Sequence, residues 1–468
     1  MRLPIALIAL IALLLLGACA GREAAVRPQV EMPPQWLGAP PSADAGLPDE
    51  RWWSSFRSAE LERLIDLALA NSHDLRAAAA RIDQARANLV IAGAPRFPSI
   101  FAAGDASRSR RPGEDKSRNA FSVSALAAYE VDLWGRIREE GAAAAAQLES
   151  SQFAWQTLRL TLIGDVGTVY FQILSLQDRL RVAEAGLANA RRVLDLTELQ
   201  RSAGKVSMLE VARQRNLVAA TQATLPPLRR QLQANLDALH VLLGENPGEI
   251  SLQASSLKPL ALPGPRPGLP AELLTRRPDL RKAEADLAQA HANLAAARAA
   301  LLPSFSLSLD GGYVNAALSR LFDPGRHFYS LGASLLATIF DGGRLGAQRD
   351  LAEARQRELV EAYRQAILSA LRDVEDALAA LRELEAQEEA EMRAVDEARR
   401  AYELAELRYK SGAIDFTSLL DAQRALLNAE ATLEPTRFAR FAGVVSLYKA
   451  LGGGWAQPPS PAAALSRR

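Results

Sequence analysis

Side chains that could perform catalysis or bind a metal are few in this 468-residue chain, and their spacing fits neither task. The histidines show no ligand spacing, and the nucleophile motif Gly-x-Ser-x-Gly is absent. Gly452-Gly453-Gly454 follows a predicted helix instead of opening one, and Gly164 and Gly167 lie within a helical stretch, so neither pattern favours phosphate binding. We therefore expect no enzyme activity, no metal site and no cofactor. The histidines are His73, His240, His291 and His327.

The residue with a predictable chemistry is Cys19, which is the only cysteine in the chain. Residues 1–18 have the order of a bacterial export signal, with Arg2 first, then an apolar run, then Gly17-Ala18. Leu16-Gly17-Ala18-Cys19 resembles the bacterial lipobox, whose cysteine becomes the lipidated first residue of the mature chain. We expect a covalent lipid on Cys19, and the position after it is not Asp, which is compatible with sorting to the outer membrane. An ordinary signal peptide with an incidental cysteine is the alternative.

Composition indicates long helices and gives no sign of a nucleic-acid partner. Aromatic residues make up only 6% of the chain, and the formal net charge is +1, with 55 basic and 54 acidic residues interspersed. Residues 19–57 are rich in proline and small residues, which predicts an extended tether. Beyond the signal, no apolar run approaches the roughly 20 residues of a transmembrane helix.

The same sequence plan occurs twice, which predicts two structural repeats. Asp74-Leu75-Arg76 recurs 205 residues later as Asp279-Leu280-Arg281, whereas Gly135-Arg136 recurs 208 residues later as Gly343-Arg344. We place the first repeat at 58–256, a linker at 257–269, the second repeat at 270–452 and a tail at 453–468. The three-residue slip lies between Ser99 and Gly135, where we expect a loop between strands. Chance matching of two Ala/Leu-rich halves is the alternative.

Each repeat contains a segment of alternating polarity that predicts a β-hairpin, at about 99–133 and about 304–341. From Phe121 to Leu133, and again on both sides of Tyr313, apolar residues alternate with Ser, Asp or Glu. Strands of about ten residues suit a tilted membrane-spanning strand. Four strands cannot close a barrel, and lipid does not tolerate an open sheet edge. Either several chains share one barrel, or the hairpins stay in water.

Two stretches without proline, 135–203 and 343–411, predict helices of about 69 residues, or roughly 100 Å at 1.5 Å per residue. The second carries an apolar seam of alternating three- and four-residue steps, from Val360 to Leu384. We predict return helices at 206–243 and 413–451, and shorter helices at 61–91 and 270–302. One return helix joined end to end with one shorter helix would be as long as one of the 69-residue helices. The hairpins then lie at one end, and the glycine turns at Gly204 and Gly412 lie at the other.

With these elements in order, the chain resembles the TolC/OprM outer-membrane factor family, in its NodT-type lipoprotein branch. The resemblance runs from about Trp52 to Trp455. The motifs that carry it are Trp52-Trp53-Ser54-Ser55-Phe56, Tyr129-Glu130-Val131-Asp132-Leu133-Trp134-Gly135-Arg136, Leu269-Pro270-Ala271-Glu272-Leu273-Leu274 with Arg276-Arg277-Pro278-Asp279-Leu280, Ile339-Phe340-Asp341-Gly342-Gly343-Arg344, Leu419-Leu420-Asp421-Ala422-Gln423-Arg424, and Tyr448-Lys449-Ala450-Leu451-Gly452-Gly453-Gly454-Trp455.

The resemblance implies a mainly α chain with a transmembrane β part. It implies a homotrimer in the outer membrane of a Gram-negative bacterium, with an α-barrel continued by a 12-stranded β-barrel. Such a channel accepts small molecules, including drugs and toxic compounds, from an inner-membrane pump, here of the RND type, through a periplasmic adaptor (membrane fusion) protein. Conduction is passive. A periplasmic coiled-coil scaffold lipoprotein and a channel for type I protein secretion are the alternatives.

Within the resemblance, the segment around Asp421 matches the periplasmic constriction of the family. Asp421 would form an acidic ring, and Arg424 would help to keep the pore shut. Gly204 and Gly412 would lie at the tip that meets the adaptor. Ser418 stands where some members carry a second acid, which puts a second acidic ring in doubt. An ordinary solvated pair of Asp421 and Arg424 is the alternative.

Overall fold

The computed structural model describes residues 28, 30–38, 49–110, 112, 117–248, 252–264 and 266–455. Cys19, the predicted signal segment 1–18 and the end of the predicted tail lie outside the described residues.

Two halves with the same order of elements follow each other along the described chain. The first contains α1 (Ala59–Asn71), α2 (His73–Gly93), β1 (Ser99–Ser109), β2 (Arg118–Val131), α3 (Arg136–Ser202) and α4 (Met208–Leu242). The second contains α5 (Leu273–Arg276), α6 (Pro278–Ala299), β3 (Ser304–Asn315), β4 (His327–Leu336), α7 (Arg344–Lys410) and α8 (Phe416–Ala450).

The continuous helices α3 and α7 have 67 residues each, which corresponds to about 100 Å. Along α7 the centre of the predicted apolar seam is buried, from Tyr363 to Ala377. Within the described residues, no helix combines the length and the apolar character needed to cross a membrane.

The expectation of one unbroken short helix in each half was wrong. In the first half the helix stops at Asn71, and the side chain of Ser72 accepts a hydrogen bond from the backbone N–H of Leu75 at 3.3 Å, which starts α2 anew. In the second half Pro278 is the first residue of α6, and Arg277 before it is extended. The residue before a proline is biased away from the helical conformation, which favours a break at this point.

The return helices meet the shorter helices end to end at these two breaks. After α4, Gly244 has φ +72°, and a Cβ built on it would lie 2.8 Å from the carbonyl oxygen of Asn71. After α8, Gly452 has φ +90°, and its Cβ would lie 2.6 Å from the carbonyl oxygen of Arg276. Thus α4 continues into α2, and α8 continues into α6, each across a glycine contact.

Helix contacts arrange these units into one wall. α3 packs against α2 and α4 on one side and against α6 and α8 on the other, and α7 packs against α6 and α8. Across the wall, the end-to-end pair of α4 and α2 comes first, followed by the continuous helix α3, the end-to-end pair of α8 and α6, and the continuous helix α7. Each end-to-end pair is called a spliced helix below. The approach of α3 and α8 is close, because a Cβ on Gly164 would collide with the side chain of Lys449. Gly164 therefore serves helix packing.

The strands form one antiparallel sheet in the order β1-β2-β3-β4, with β1 and β4 at its edges. Register places Val123 opposite Tyr313 and Leu309 opposite Leu331, and residues directly opposite each other share a face of the sheet. One face is therefore apolar, and the other carries mostly serines and other small or polar residues. The apolar face includes Ile100, Ala102, Phe121, Val123, Ala127, Phe305, Leu307, Leu309, Tyr313, Tyr329, Leu331 and Leu335.

The largest aromatic cluster lies where the chain enters α1. Trp52, Trp53 and Phe56 are at most 3% exposed. The rings of Trp52 and Tyr448 stack with centroids 4.6 Å apart, and Phe56 lies 4.9 Å from Phe171. These aromatic residues are a packing core and leave no room for a ligand.

Part of the predicted tether is folded onto the second half. Trp36 is 4% exposed, and its indole N–H donates to the carbonyl oxygen of Gly268 at 2.9 Å. The backbone N–H groups of Leu37 and Gly38 donate to the carboxylate of Glu375 on α7 at 2.7 and 3.0 Å. The segment 30–38 is therefore attached at defined points.

Candidate functional site

The end of the wall opposite the sheet is built from two equivalent glycine turns. Gly204 and Gly412 follow α3 and α7 with φ of +73° and +75°. In the first turn the backbone N–H of Gly204 donates to the carbonyl oxygen of Arg201 at 2.8 Å. The backbone N–H of Lys205 donates to the carbonyl oxygen of Gln200 at 2.9 Å. This is the Schellman arrangement, which satisfies the last helix carbonyls and needs a left-handed residue. The second turn repeats it.

The return helix α8 starts from an acidic cap. The carboxylate of Asp415 accepts a hydrogen bond from the backbone N–H of Ser418 at 2.8 Å. Hydrogen bonds from Ser418 hold the pKa of Asp415 below its ordinary value, since they favour the charged carboxylate. Ser418 is thus part of the first helical turn. At the start of α4, the backbone N–H of the cap residue Ser207 donates to the carboxylate of Glu210.

One turn further, the candidate gate segment presents two opposite faces. Leu419, Leu420 and Gln423 are at most 3% exposed. Asp421 and Arg424 are exposed, three residues apart on α8. Neither forms a hydrogen bond or an ion pair with any other part of the chain that the structure describes, and they do not pair with each other. Their charges are available to another molecule.

A buried amide pair lies behind this segment, and sequence reasoning missed it. Gln214 on α4 is fully buried, and its amide N–H donates to the carbonyl oxygen of Ala190 on α3 at 2.9 Å and to the side-chain oxygen of Gln423 at 3.2 Å. The Oε1 of Gln214 and the Nε2 of Gln423 have no hydrogen-bond partner among the residues that the structure describes. The signal available in the sequence was a glutamine on the apolar face of each return helix. This pair connects α4, α3 and α8 at the level of Asp421.

Two tyrosines connect α7 to α3 at the same end. The hydroxyl of Tyr402 donates to Asn189 at 2.8 Å, and that of Tyr409 donates to Gln200 at 2.6 Å. Burial raises the pKa of both phenols because desolvation disfavours the charged form. They stay neutral donors at neutral pH.

A groove of about 590 Å³ opens next to Arg424, between α4 and α8 and over α3. Its walls are largely apolar, with Leu217 and Leu228 from one return helix and Leu427 from the other. Arg179 of α3 lines it as well. Within the described residues, no group of three or more His, Cys, Asp or Glu side chains could hold a metal ion.

Each half of the chain matches the sequence profile of the same family. The profile of the outer membrane efflux protein family matches residues 64–245 and 269–453, one range for each repeat. The chain belongs to the outer membrane efflux protein family. The predicted resemblance to TolC/OprM-like channels is confirmed.

Individual relatives and a solved structure agree with this assignment along nearly the whole chain. This outer membrane efflux protein is 40% identical over 440 residues to the pyoverdine export outer membrane protein OpmQ of Pseudomonas putida, covering 92% of this chain and 93% of the relative. It is 35% identical to the outer membrane protein OprJ of Pseudomonas aeruginosa, covering 96% and 95%. The structure of the outer-membrane channel OprN matches with a TM-score of 0.84 at 30% identity, covering 92% of this chain and 100% of that one.

These similarities establish efflux transport at the outer membrane as the role of the chain. They do not reach individual residues. Asp421 and Arg424 as gate residues, Gly204 and Gly412 as docking turns, and Cys19 as the lipid-bearing residue therefore stay predictions.

Proposed function

We propose that this outer membrane efflux protein forms a trimeric, gated tunnel without catalytic activity. Twelve strands, four from each chain, would form a β-barrel in the outer membrane, and the helical walls would continue it through the periplasm as an α-barrel. Small molecules would enter from an inner-membrane pump of the RND type through a periplasmic adaptor protein, and would leave by passive conduction.

The β-sheet carries this proposal. Its apolar face exposes Tyr329 by 82%, Leu331 by 78% and Ile100 by 77%, and the opposite face is lined by serines. Such alternation suits a wall between lipid and water. Because β1 and β4 are edge strands, a single chain would leave unpaired backbone groups in lipid. Further copies of the chain remove both edges by pairing β1 of one with β4 of the next.

The cargo class follows from the similarity to efflux proteins of low-molecular-weight compounds. One relative is named for export of pyoverdine and another for efflux of solvents. A tunnel of this kind lowers the barrier of the outer bilayer, and the pump supplies the direction. We propose small organic molecules as cargo, including drugs and toxic compounds.

The gate is proposed at Asp421 and Arg424. Three copies of an exposed carboxylate around one axis repel each other unless a cation or a guanidinium lies between them. Each Asp421 is unpaired within the part of its own chain that the structure describes, so we propose Arg424 of a neighbouring chain as its partner. The turns at Gly204 and Gly412, at the far tip, are the proposed adaptor contact, and a lipid on Cys19 would anchor the other end of the tether in the outer membrane.

Planar-bilayer recording of the purified protein tests the proposal. We expect a small conductance for the natural chain and a severalfold increase for Asp421→Ala and for Arg424→Ala. Asp376→Ala removes a carboxylate that is 75% exposed on α7, far from the tip, and should leave the conductance unchanged. Native mass spectrometry should show a trimer. A protein that conducts in none of these forms would be a periplasmic scaffold instead, and the tunnel proposal would be refuted.

A further inference from the structure

The groove beside Arg424 contains a positive charge that no group in the described part of the chain neutralises. Arg179 is half-buried on α3, at the floor between the two return helices. It forms no hydrogen bond or ion pair with the part of the chain that the structure describes. Burial lowers the pKa of Arg179 because desolvation disfavours the charged form. A guanidinium stays charged in proteins, so its environment is unfavourable until an anion arrives.

The other charged residues that line the groove do not neutralise Arg179. Arg424 lines the same groove and is also unpaired in the described chain. Glu430 is the acidic residue of the lining, but its carboxylate accepts a hydrogen bond from Arg399 at 2.9 Å and is thereby compensated. Arg179 and Arg424 thus line a space in which the lining carboxylate, Glu430, is already paired with Arg399.

The walls of the groove are apolar, and they indicate which kind of molecule could bind beside these charges. Leu217 and Leu228 are buried on the α4 side, and Leu427 and Ala431 contribute from α8. A volume of about 590 Å³ lies within the range of small-molecule sites, which are mainly apolar with a few polar groups that fix orientation. Inorganic anions would leave these apolar walls exposed to water.

We propose that this groove binds amphiphilic organic anions, with the acidic group on Arg179 and the apolar body between α4 and α8. The inference rests on the proposed tunnel, and it gives that tunnel a cargo preference. A cargo molecule would be held immediately beside the gate residue Arg424, before it passes along the helical walls. A carboxylate or sulfonate bound to a guanidinium forms charge-assisted hydrogen bonds, often two in parallel.

Block of the channel current by an aromatic anion tests this binding. Naphthalenesulfonate is added to both sides of a bilayer that contains the purified protein, and naphthylmethyl-trimethylammonium serves as the cation of similar size. We expect the anion to block at lower concentration than the cation. Arg179→Met retains the apolar stem and removes the charge, and it should weaken the anion block about fivefold. The block by the cation should be unchanged or stronger.

A matched control lies on the same helix. Arg191 is exposed on α3 and lines a different groove, so Arg191→Met removes the same charge from the protein without touching this site. Equal anion block in the natural protein, Arg179→Met and Arg191→Met would overturn the proposed site while the conductance still supports the tunnel. Absence of conductance in all three would instead refute the tunnel itself. Circular dichroism of Arg179→Met verifies that the helices remain intact.

Discussion

The glycines at the two helix splices should be far less replaceable than those at the two tip turns. All four have left-handed backbone angles, with φ from +72° to +90°. A Cβ on Gly452 would lie 2.6 Å from a backbone oxygen, and one on Gly244 would lie 2.8 Å from another, whereas nothing lies within 4 Å at Gly204 or Gly412. Alanine at a tip turn therefore costs only backbone strain, whereas alanine at a splice costs the same strain and a steric overlap as well.

Magnitudes follow from these two contributions. Alanine in the left-handed region costs about 1–2 kcal/mol, which is the whole cost expected for Gly412→Ala. Overpacking against a backbone that cannot move adds about 1–3 kcal/mol for Gly452→Ala. The assay is thermal unfolding of each purified variant in detergent, followed by far-ultraviolet circular dichroism. The duplication provides an internal replicate, since Gly244→Ala should behave like Gly452→Ala, and Gly204→Ala like Gly412→Ala.

Equal losses of stability at the splice and tip glycines would refute this reasoning. Such a result would mean that α8 does not abut the start of α6, or that the junction relaxes freely. In either case the wall would not consist of spliced helices, and the equal heights of its four members would lose their explanation.

Three further predictions concern other parts of the wall. Burial raises the pKa of Glu434, so stability should fall as pH rises from its ordinary value of 4.5 toward the raised value, and Glu434→Gln should flatten this fall in thermal midpoints measured across mildly acidic pH. Gln214→Leu removes the buried amide bond behind the gate segment and should raise the bilayer conductance, whereas Gln387→Leu, which removes the 3.2 Å bond to Thr436 higher on the wall, should not. Trp36→Ala should release segment 30–38 and increase its cleavage in limited proteolysis, whereas Leu37→Ala, at a side chain that is 91% exposed, should change little.

Features with a repeating period were the ones that the sequence could predict. The alternation around Tyr313 and the apolar seam through Ile367 each extend over many residues. One residue that departs from the pattern therefore does not prevent its recognition. The break at Ser72 was missed because serine also occurs inside helices, and only the hydrogen bond to Leu75 distinguishes a cap from an interior position.

Features that depend on which helices become neighbours could not be predicted in the same way. Gln214 and Gln423 are ordinary helix residues until α4 and α8 are placed on the same side of α3. Arg179 is equally inconspicuous, because its lack of a partner is a property of the assembled groove. Sequence periodicity specifies the exposed and buried faces of each helix, and it is silent about what the buried face of one helix meets on another.

The two repeats share a scaffold but differ at the tip in a way that separates positioning from gating. Arg213 occupies in the first repeat the place that Asp421 has in the second, 208 residues earlier. Its guanidinium donates to the hydroxyl of Thr417 at 3.2 Å and so joins α4 to α8 within the chain. Asp421 has no such bond among the described residues, and its carboxylate is exposed. A symmetric pair of tips with two free acids would double the number of carboxylates around the axis and raise their mutual repulsion more than twofold. Divergence of the first tip instead joins α4 to the start of α8, and leaves one such carboxylate per chain, Asp421, for the proposed gate.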